Sequence, residues 1–197
     1  HNYLGLIFWY MGKHEEAVDS CKQAIKIDPD YRDAHYNLGL IFSSMGKYEE
    51  AIESYKQAIK IDPDDASAHF KLGFAYRKSH KVQEAIESFK EAIWIDPDDA
   101  GAHFFLANTY ELEFKVTRLR QLIPKAIKHY EKAIICADPA DKGDIFIRKQ
   151  SHYGLGLIYI FRSRDRSAVE EQIEKLRDLG ERKLATRLEG MISTELD

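Results

Sequence analysis

Cysteine is scarce in this sequence of 197 residues, which contains only Cys21 and Cys136. Two cysteines are too few for the disulfide framework that stabilises small secreted domains. Neither cysteine has another metal-ligating side chain close to it in sequence at a known motif spacing. We therefore expect two buried free thiols, because a free cysteine packs like a small hydrophobic residue.

The chain also lacks an excess of positive charge and has no long apolar segment. The 29 Lys and Arg residues are outnumbered by 33 Asp and Glu residues, which gives a formal net charge of −4. A phosphate-binding domain usually has a basic excess, so we expect no nucleic-acid partner. The longest apolar runs, Leu4–Met11 and Leu155–Phe161, are much shorter than the roughly 20 residues of a membrane-spanning helix, so we predict no transmembrane segment.

What the sequence does contain is a period of 34 residues, which is strict through residue 99. The repeated positions include Gly5, Gly39 and Gly73; Ala17, Ala51 and Ala85; and Pro29, Pro63 and Pro97. In the second copy, His35, Leu38 and Phe42 have the spacing of one stripe on a helix. Ala51 and Tyr55 share a stripe on a second helix. The sequence therefore predicts a tandem array of helix pairs.

Turn and capping residues mark the ends of these helices. Met45-Gly46-Lys47 is predicted to join the two helices of the second copy. Asp62-Pro63 is predicted to end the second helix, because a residue before proline avoids the helical region. Asp65 suits the N-terminal cap of the next helix. Gly39 and Ala51 are small, which predicts that two helices cross closely there.

This unit resembles the tetratricopeptide repeat (TPR), whose pattern is a large residue, Leu-Gly, an aromatic residue, Ala, a second aromatic residue and Pro. In the second copy these positions are His35, Leu38, Gly39, Phe42, Ala51, Tyr55 and Pro63; in the third they are His69, Leu72, Gly73, Tyr76, Ala85, Phe89 and Pro97. The resemblance implies an all-α, right-handed superhelical solenoid of helix–turn–helix repeats, with a groove lined by the first helix of each pair.

The period is interrupted twice after residue 99. The insertions fall within 111–125 and 138–150, so we expect longer helices around 104–135 and 143–161, and Ala168 is predicted to take the alanine position of the fifth repeat. We predict one TPR solenoid over 1–197, with repeats at about 1–31, 32–65, 66–99, 100–140 and 141–179, of which the last two carry insertions, and a capping helix at 180–197. The polar outer face of that capping helix is predicted to hold Arg182, Lys183, Arg187 and Glu189. The chain opens inside a repeat, so we expect that native residues precede it.

Chemistry-bearing residues are present, but each set has a structural interpretation. One repeat position holds His1, His35, His69, His103 and His152. Helices pack roughly 8–10 Å apart, whereas zinc ligands lie about 2 Å from the metal, so we interpret these histidines as packing residues. The acidic clusters at 62–65 and 96–99 lack the glycine and distal glutamate of a calcium loop. No nucleotide-binding or triad motif stands out, and we predict no enzyme, no cofactor and no metal.

The resemblance also implies where a partner would bind. The groove positions of the repeats give the candidate site residues Tyr36, Asn37, Leu40, Phe70, Lys71, Phe74, Arg77, Phe104, Asn108, Tyr153 and Leu157. Aromatic residues are favoured in interfaces, and such a groove suits an amphipathic helix or an extended apolar peptide with an acidic residue. In the alternative interpretation, these aromatic residues pack partly against their own neighbours. Asn2 and Leu6 replace the Lys and Asn of the subclass that clamps chaperone C-termini.

A local run of basic residues lies at the first insertion. Its members are Lys115, Arg118, Arg120, Lys125, Lys128 and Lys132. The run is interpreted either as a solvated helix face or as a contact site for an acidic partner or a lipid surface.

These observations favour a non-catalytic adaptor or scaffold that binds a protein or peptide. Two alternatives stay open: a structural scaffold that self-associates through the open N-terminal flank at Leu4, Leu6 and Ile7, and a regulatory TPR module of a larger multidomain protein. We predict a cytoplasmic location, while the sequence names neither the partner nor the pathway.

Overall fold

The computed structural model describes residues 1–163 and 165–195, and within these ranges it has eleven α-helices and no strand. The all-α fold predicted from the sequence is therefore confirmed. The helices form two compact units, His1–Pro97 and Asp98–Asp197. The predicted single solenoid with its repeat boundaries, and the right-handed sense of the superhelix, stay predictions.

Unit 1 contains three helix pairs. Its helices are α1 (Asn2–Tyr10), α2 (His14–Ile27), α3 (Arg32–Ser44), α4 (Tyr48–Ile61), α5 (Ala66–Lys78) and α6 (Val82–Ile95). The second helix of each pair has 14 residues, and the first has 9 in α1 and 13 in α3 and α5. Each second helix is amphipathic, and α4 buries Ala51, Ile52, Tyr55 and Ala58 along one stripe. Isolated helices of this length are marginally stable in water, so each helix depends on the burial of its apolar stripe against its partner.

The turn inside each pair depends on one residue with a left-handed backbone. Gly46 has φ of 73° between α3 and α4, as the predicted turn at Met45-Gly46-Lys47 requires. His80 takes the same conformation with φ of 61° between α5 and α6. The predicted cap is also present, since the Asp65 side chain accepts a hydrogen bond from the Ala68 amide at 3.0 Å.

Close helix crossing explains why the Leu-Gly pair of the unit 1 repeats contains a glycine. A Cβ atom added to Gly39 would lie 2.6 Å from the ring of Tyr55, and one added to Gly73 would lie 2.9 Å from the ring of Phe89. Both rings are fully buried. The first helix can therefore approach the second only where no side chain intervenes.

Unit 2 has longer helices where the period is interrupted. Its helices are α7 (Ala100–Thr117), α8 (Leu122–Cys136), α9 (Lys142–Ile158), α10 (Arg166–Asp178) and α11 (Arg182–Glu195). The first helix of the pair grows from 13 residues in α3 to 18 in α7 and 17 in α9. The sequence predicted longer helices here. Most of the first insertion extends the end of α7, and the second extends the start of α9.

The predicted register of the fifth repeat is wrong by one residue after α9. That helix continues into a π-helical turn, Tyr159–Ser163, which inserts an extra residue into the helical path. As a result Val169, the fourth residue of α10, takes the fully buried position that Ala51 holds as the fourth residue of α4. Ala168 instead donates its backbone N–H to the capping Asp165 side chain at 3.0 Å.

A helix is present where the capping helix was expected. Leu188 and Ile192 of α11 pack with Val169, Ile173 and Leu176 of α10 in one buried cluster. A Cβ atom added to Gly156 would lie 2.6 Å from Leu188. Leu188 therefore covers Gly156, whereas the corresponding glycines of α3 and α5 are covered by an aromatic residue of α4 or α6.

Both cysteines are free thiols, but they differ in burial. Cys21 is fully buried against Gly5, and burial raises its pKa to about 11. Cys136 is only half-buried, which corrects the prediction for this residue, because it lies at the end of α8 with its thiol 3.6 Å from Asp98 Oδ1. Among the helices of the described ranges, none has the length and apolar character needed to cross a membrane.

Candidate peptide-binding surfaces

In unit 1 the predicted site residues lie on the first helices α3 and α5. Phe70 and Phe74 are one helical turn apart on α5, and both are half-buried. The Phe70 ring meets the buried Phe89 ring with centroids 5.8 Å apart, and Tyr36 meets Tyr55 edge-on at 5.9 Å. The inner edge of each ring thus packs on the second helix, while the remaining surface is open to solvent.

A cation lies beside each of these rings. Lys71 Nζ is 5.3 Å from the Phe70 centroid, and Lys78 Nζ is 5.4 Å from the Phe74 centroid. The Arg32 guanidinium is 5.9 Å from the Tyr36 centroid, within cation–π range. Helix α5 carries no acidic residue. We call Phe70, Lys71, Phe74, Arg77 and Lys78 the α5 surface.

Asn37 is placed differently from the other predicted residues of unit 1. Its side chain is buried, and its amide donates a hydrogen bond to Asn2 Oδ1 at 3.0 Å. Asn2 in turn donates to the Tyr31 hydroxyl at 3.3 Å. A partner would meet the half-buried Tyr36 and Leu40 on α3 before it met this internal hydrogen bond.

In unit 2 the predicted residues occupy α7 and α9. Phe104 packs between Phe105, at a centroid distance of 5.2 Å, and Tyr130, at 6.0 Å. The Tyr130 hydroxyl donates to Glu111 Oε2 at 2.6 Å. Asn108 is half-buried on the same helix as Phe104.

Tyr153 and Leu157 of α9 are half-buried because they pack against the cluster formed with α11. The Arg187 guanidinium of α11 lies 5.9 Å from the Tyr153 centroid. Sequence reasoning assigned Arg187 to the polar outer face of a cap and so missed this contact. A usable signal was present, since Arg187 is the sixth residue of α11, as Asn37 is of α3. The last helix thus has the register of another first helix.

The repeated histidine makes two different kinds of contact. His35 Nε2 is 2.9 Å from the Pro29 carbonyl, and His69 Nε2 is 3.0 Å from the Pro63 carbonyl. In unit 2, His103 Nδ1 is 2.9 Å from His129 Nδ1, and His152 Nδ1 is 2.7 Å from Gln172 Oε1. Within the described residues no three His, Cys, Asp or Glu side chains are grouped as a metal site would require.

Two sequence profiles of known repeat families match the first half of the chain. The profile described as TPR repeat matches residues 5–46 and 39–79, and the profile described as tetratricopeptide repeat matches residues 66–99. Together the matches cover residues 5–99, and this part of the chain belongs to the TPR family. No relative among curated protein sequences matches this TPR chain.

Solved TPR structures are similar to the chain in fold. MamA from Desulfovibrio magneticus RS-1 (residues 41 to the end) is 20% identical, with a TM-score of 0.75 over 90% of this chain and 92% of that one. YrrB, described as a TPR protein with an unusual peptide-binding site, is 17% identical, with a TM-score of 0.75 over 96% and 90%. The first TPR of Spaghetti (RPAP3), bound to an HSP90 peptide, is 19% identical, with a TM-score of 0.55 over 56% and 88%. At these identities the likeness is one of fold.

Proposed function

We propose that the chain is a non-catalytic adaptor that binds a peptide segment combining apolar and acidic residues. The observation that carries the proposal is the α5 surface, where two half-exposed aromatic rings each have an ammonium group beside them. Aromatic side chains provide large contact area, and such residues often dominate binding energy. The fold is that of proteins which include peptide binders such as YrrB and the first TPR of Spaghetti.

The charge of the surface favours an acidic partner. Lys71, Arg77 and Lys78 lie on one helix that has no carboxylate of its own. A carboxylate placed next to an aromatic anchor would meet one of these cations at short range and outside bulk water, where the attraction is strongest. Basic peptide segments would be repelled by the same three cations.

The test uses a random peptide library displayed on phage and selected on the wild-type chain. We expect a consensus with apolar residues and at least one Asp or Glu. The double variant Phe70→Ala/Phe74→Ala should weaken binding of the selected peptide by about tenfold or more, because loss of a central anchor typically costs over 1 kcal/mol. Fluorescence polarisation measures the Kd.

Trp94→Ala is the matched control, because Trp94 is an exposed aromatic residue on α6, away from the first helices. Its Kd should stay within about twofold of wild type. A consensus without acidic residues, or equal losses in the control and the double variant, would contradict the proposal.

A second candidate function, self-association through α1, rests on a separate observation. Leu4 and Ile7 are 42% and 54% exposed, whereas Leu38 and Ile41 at the same repeat positions are 7% and 0% exposed. The outer face of α1 therefore resembles a helix-packing face without its neighbour. Light scattering over a range of concentrations tests it: Ile7→Glu should abolish any dimer, and Ile27→Glu, a change at an exposed residue of α2, should not. A strict monomer in wild type excludes this function.

The third hypothesis, a regulatory module of a longer protein, is tested by the full-length gene sequence. The cytoplasmic location stays a prediction.

A further inference from the structure

The end of the α7–α8 pair is the most basic stretch of an otherwise acidic chain. Between Phe114 and Tyr130 there are five Lys or Arg residues and no Asp or Glu, although the whole chain has a net charge of −4. These residues are Lys115, Arg118, Arg120, Lys125 and Lys128. They occupy the last turn of α7, the connecting loop and the first two turns of α8. We call residues 115–128 the hairpin tip.

The cations of the hairpin tip are exposed and have few partners. Lys125 lies over the ring of Tyr110, with Nζ 5.6 Å from the centroid. The other four are all exposed, and none of them forms an ion pair within the described part of the chain. Lys132, which the sequence included in this basic run, is different because it pairs with Asp98 at 3.1 Å. Four of the five cations of the tip are therefore not paired with a carboxylate in the described part of the chain.

Aliphatic side chains are exposed among these cations. Val116 is 75% exposed and Leu119 is 46% exposed, while Phe114 and Leu122 on either side are buried and hold the tip to unit 2. The corresponding turn in unit 1 has three residues, Met45-Gly46-Lys47, and one cation. The extra length of α7 and the longer loop are thus what present both charge and aliphatic surface.

Glu113 and Glu131 flank the hairpin tip in sequence, but neither forms an ion pair with the four exposed cations in the described part of the chain. Glu111, one turn before the tip, accepts a hydrogen bond from the Tyr130 hydroxyl at 2.6 Å. Ile158 lines the same small cavity as Leu122 and Ile123, so the end of α9 lies beside the tip.

We propose that the hairpin tip binds the surface of a bilayer that contains anionic phospholipids. Lys and Arg near such a surface are attracted to the headgroups, and their aliphatic stems extend along apolar surface while the charged ends stay in water. Val116 and Leu119 would enter the boundary between headgroups and acyl chains, as apolar residues of interfacial helices do. Single-stranded nucleic acid is disfavoured as the partner, because the tip offers aliphatic side chains and no aromatic stacking platform.

The experiment is co-sedimentation with vesicles of phosphatidylcholine alone or with about one third phosphatidylserine, at about 0.1 M and 0.5 M salt. We expect binding only to the anionic vesicles and loss of binding at high salt. Arg118→Glu/Arg120→Glu should weaken binding by about tenfold or more, since four units of charge change at the surface. Val116→Ser/Leu119→Ser should weaken it by a smaller factor at both salt concentrations.

Lys22→Glu/Lys26→Glu is the control, because it makes the same change of charge at two exposed lysines of α2. Its vesicle binding should stay within about twofold of wild type. Circular dichroism verifies that each variant is folded. The proposal is overturned if anionic vesicles do not bind wild type, if both charge variants lose binding equally, or if the tip retains an oligonucleotide or an acidic peptide but no vesicle.

Discussion

Unit 1 and unit 2 have a histidine at the same repeat position, and its neighbours give it different roles. In unit 1, His35 and His69 are half-buried and bind the proline carbonyl of the preceding loop. In unit 2, His103 and His152 are only 5% and 8% exposed, and each binds a side chain on the second helix of its own pair. Histidine at this repeat position thus makes a hydrogen bond near the surface in unit 1 and a hydrogen bond inside the core in unit 2.

The residue facing the histidine decides between the two arrangements. Three residues after the repeat alanine, unit 1 has serines such as Ser54 and Ser88, which bond the carbonyl of the preceding turn of their own helix. Unit 2 has His129 and Gln172 at the same distance from Ala126 and Val169. A short serine cannot reach the histidine, whereas a longer polar side chain can, and a buried polar pair has to be satisfied internally.

The His103–His129 contact is a head-on hydrogen bond. The ring centroids are 5.2 Å apart and the two Nδ1 atoms 2.9 Å, so the nitrogens lie close to the line that joins the rings. Such a bond needs one nitrogen that carries a proton and one that does not. Protonation of both rings would therefore break it.

The largest expected effect separates the buried histidine from the half-buried one. His152→Ala should lower the free energy of unfolding by about 2–4 kcal/mol, because it leaves a cavity and an unpaired Gln172. His69→Ala should cost about 1 kcal/mol or less, since its site is open to solvent. Urea unfolding followed by circular dichroism measures both, and equal losses would remove the distinction between the units.

A smaller effect is expected when the residue of unit 1 is placed in unit 2. His129→Ser should lower the free energy of unfolding by about 1–3 kcal/mol, because the buried His103 loses its partner. Ser54→Ala is the control and should cost about 0.5 kcal/mol or less, because a serine bond to its own helix contributes little. Thermal unfolding of the two variants makes the comparison. A neutral His129→Ser would show that the histidine pair does not stabilise unit 2.

The smallest effect is on the dependence of stability on pH. Burial lowers the pKa of His152 below its ordinary value of 6.5, and Arg148 and Lys175 lower it further, while the bond to Gln172 acts in the opposite direction. The unfolded chain therefore binds more protons below about pH 6.5, and stability falls as the pH decreases through that range. This slope should be reduced in His152→Gln and unchanged in His69→Gln, as measured by urea midpoints between pH 7.5 and about 5.5. The same slope in both variants would contradict this account.

The sequence was most informative where each residue has one available role. The period predicted the helix pairs, and the small residues predicted the close crossings that Gly39 and Gly73 make with aromatic rings. It also predicted the turn at Gly46 and the cap at Asp65. These features depend on local spacing, on backbone conformation or on a missing side chain. Each of these is visible in the sequence as the type and position of a single residue.

The sequence was less informative where a residue chooses between neighbours. Asn37 was predicted to be open to a partner, yet its amide is satisfied by Asn2 from another helix. Arg187 was predicted to lie on an outer face, yet it covers Tyr153. Spacing along one helix does not say which residue of the next helix comes opposite, because that depends on how two helices pack.

The sequence by itself determined that the chain is an all-α TPR protein, because the 34-residue spacing allows its apolar stripes to be buried only by stacked helix pairs. Only the tertiary structure decided which of the repeated histidines are core residues, that a π-helical turn moves Val169 into the place expected for Ala168, and that four cations of the hairpin tip form no ion pair within the described part of the chain. Each of these depends on the side chain that a neighbouring helix supplies, or on one extra residue in a helical turn, and neither is recorded in the period.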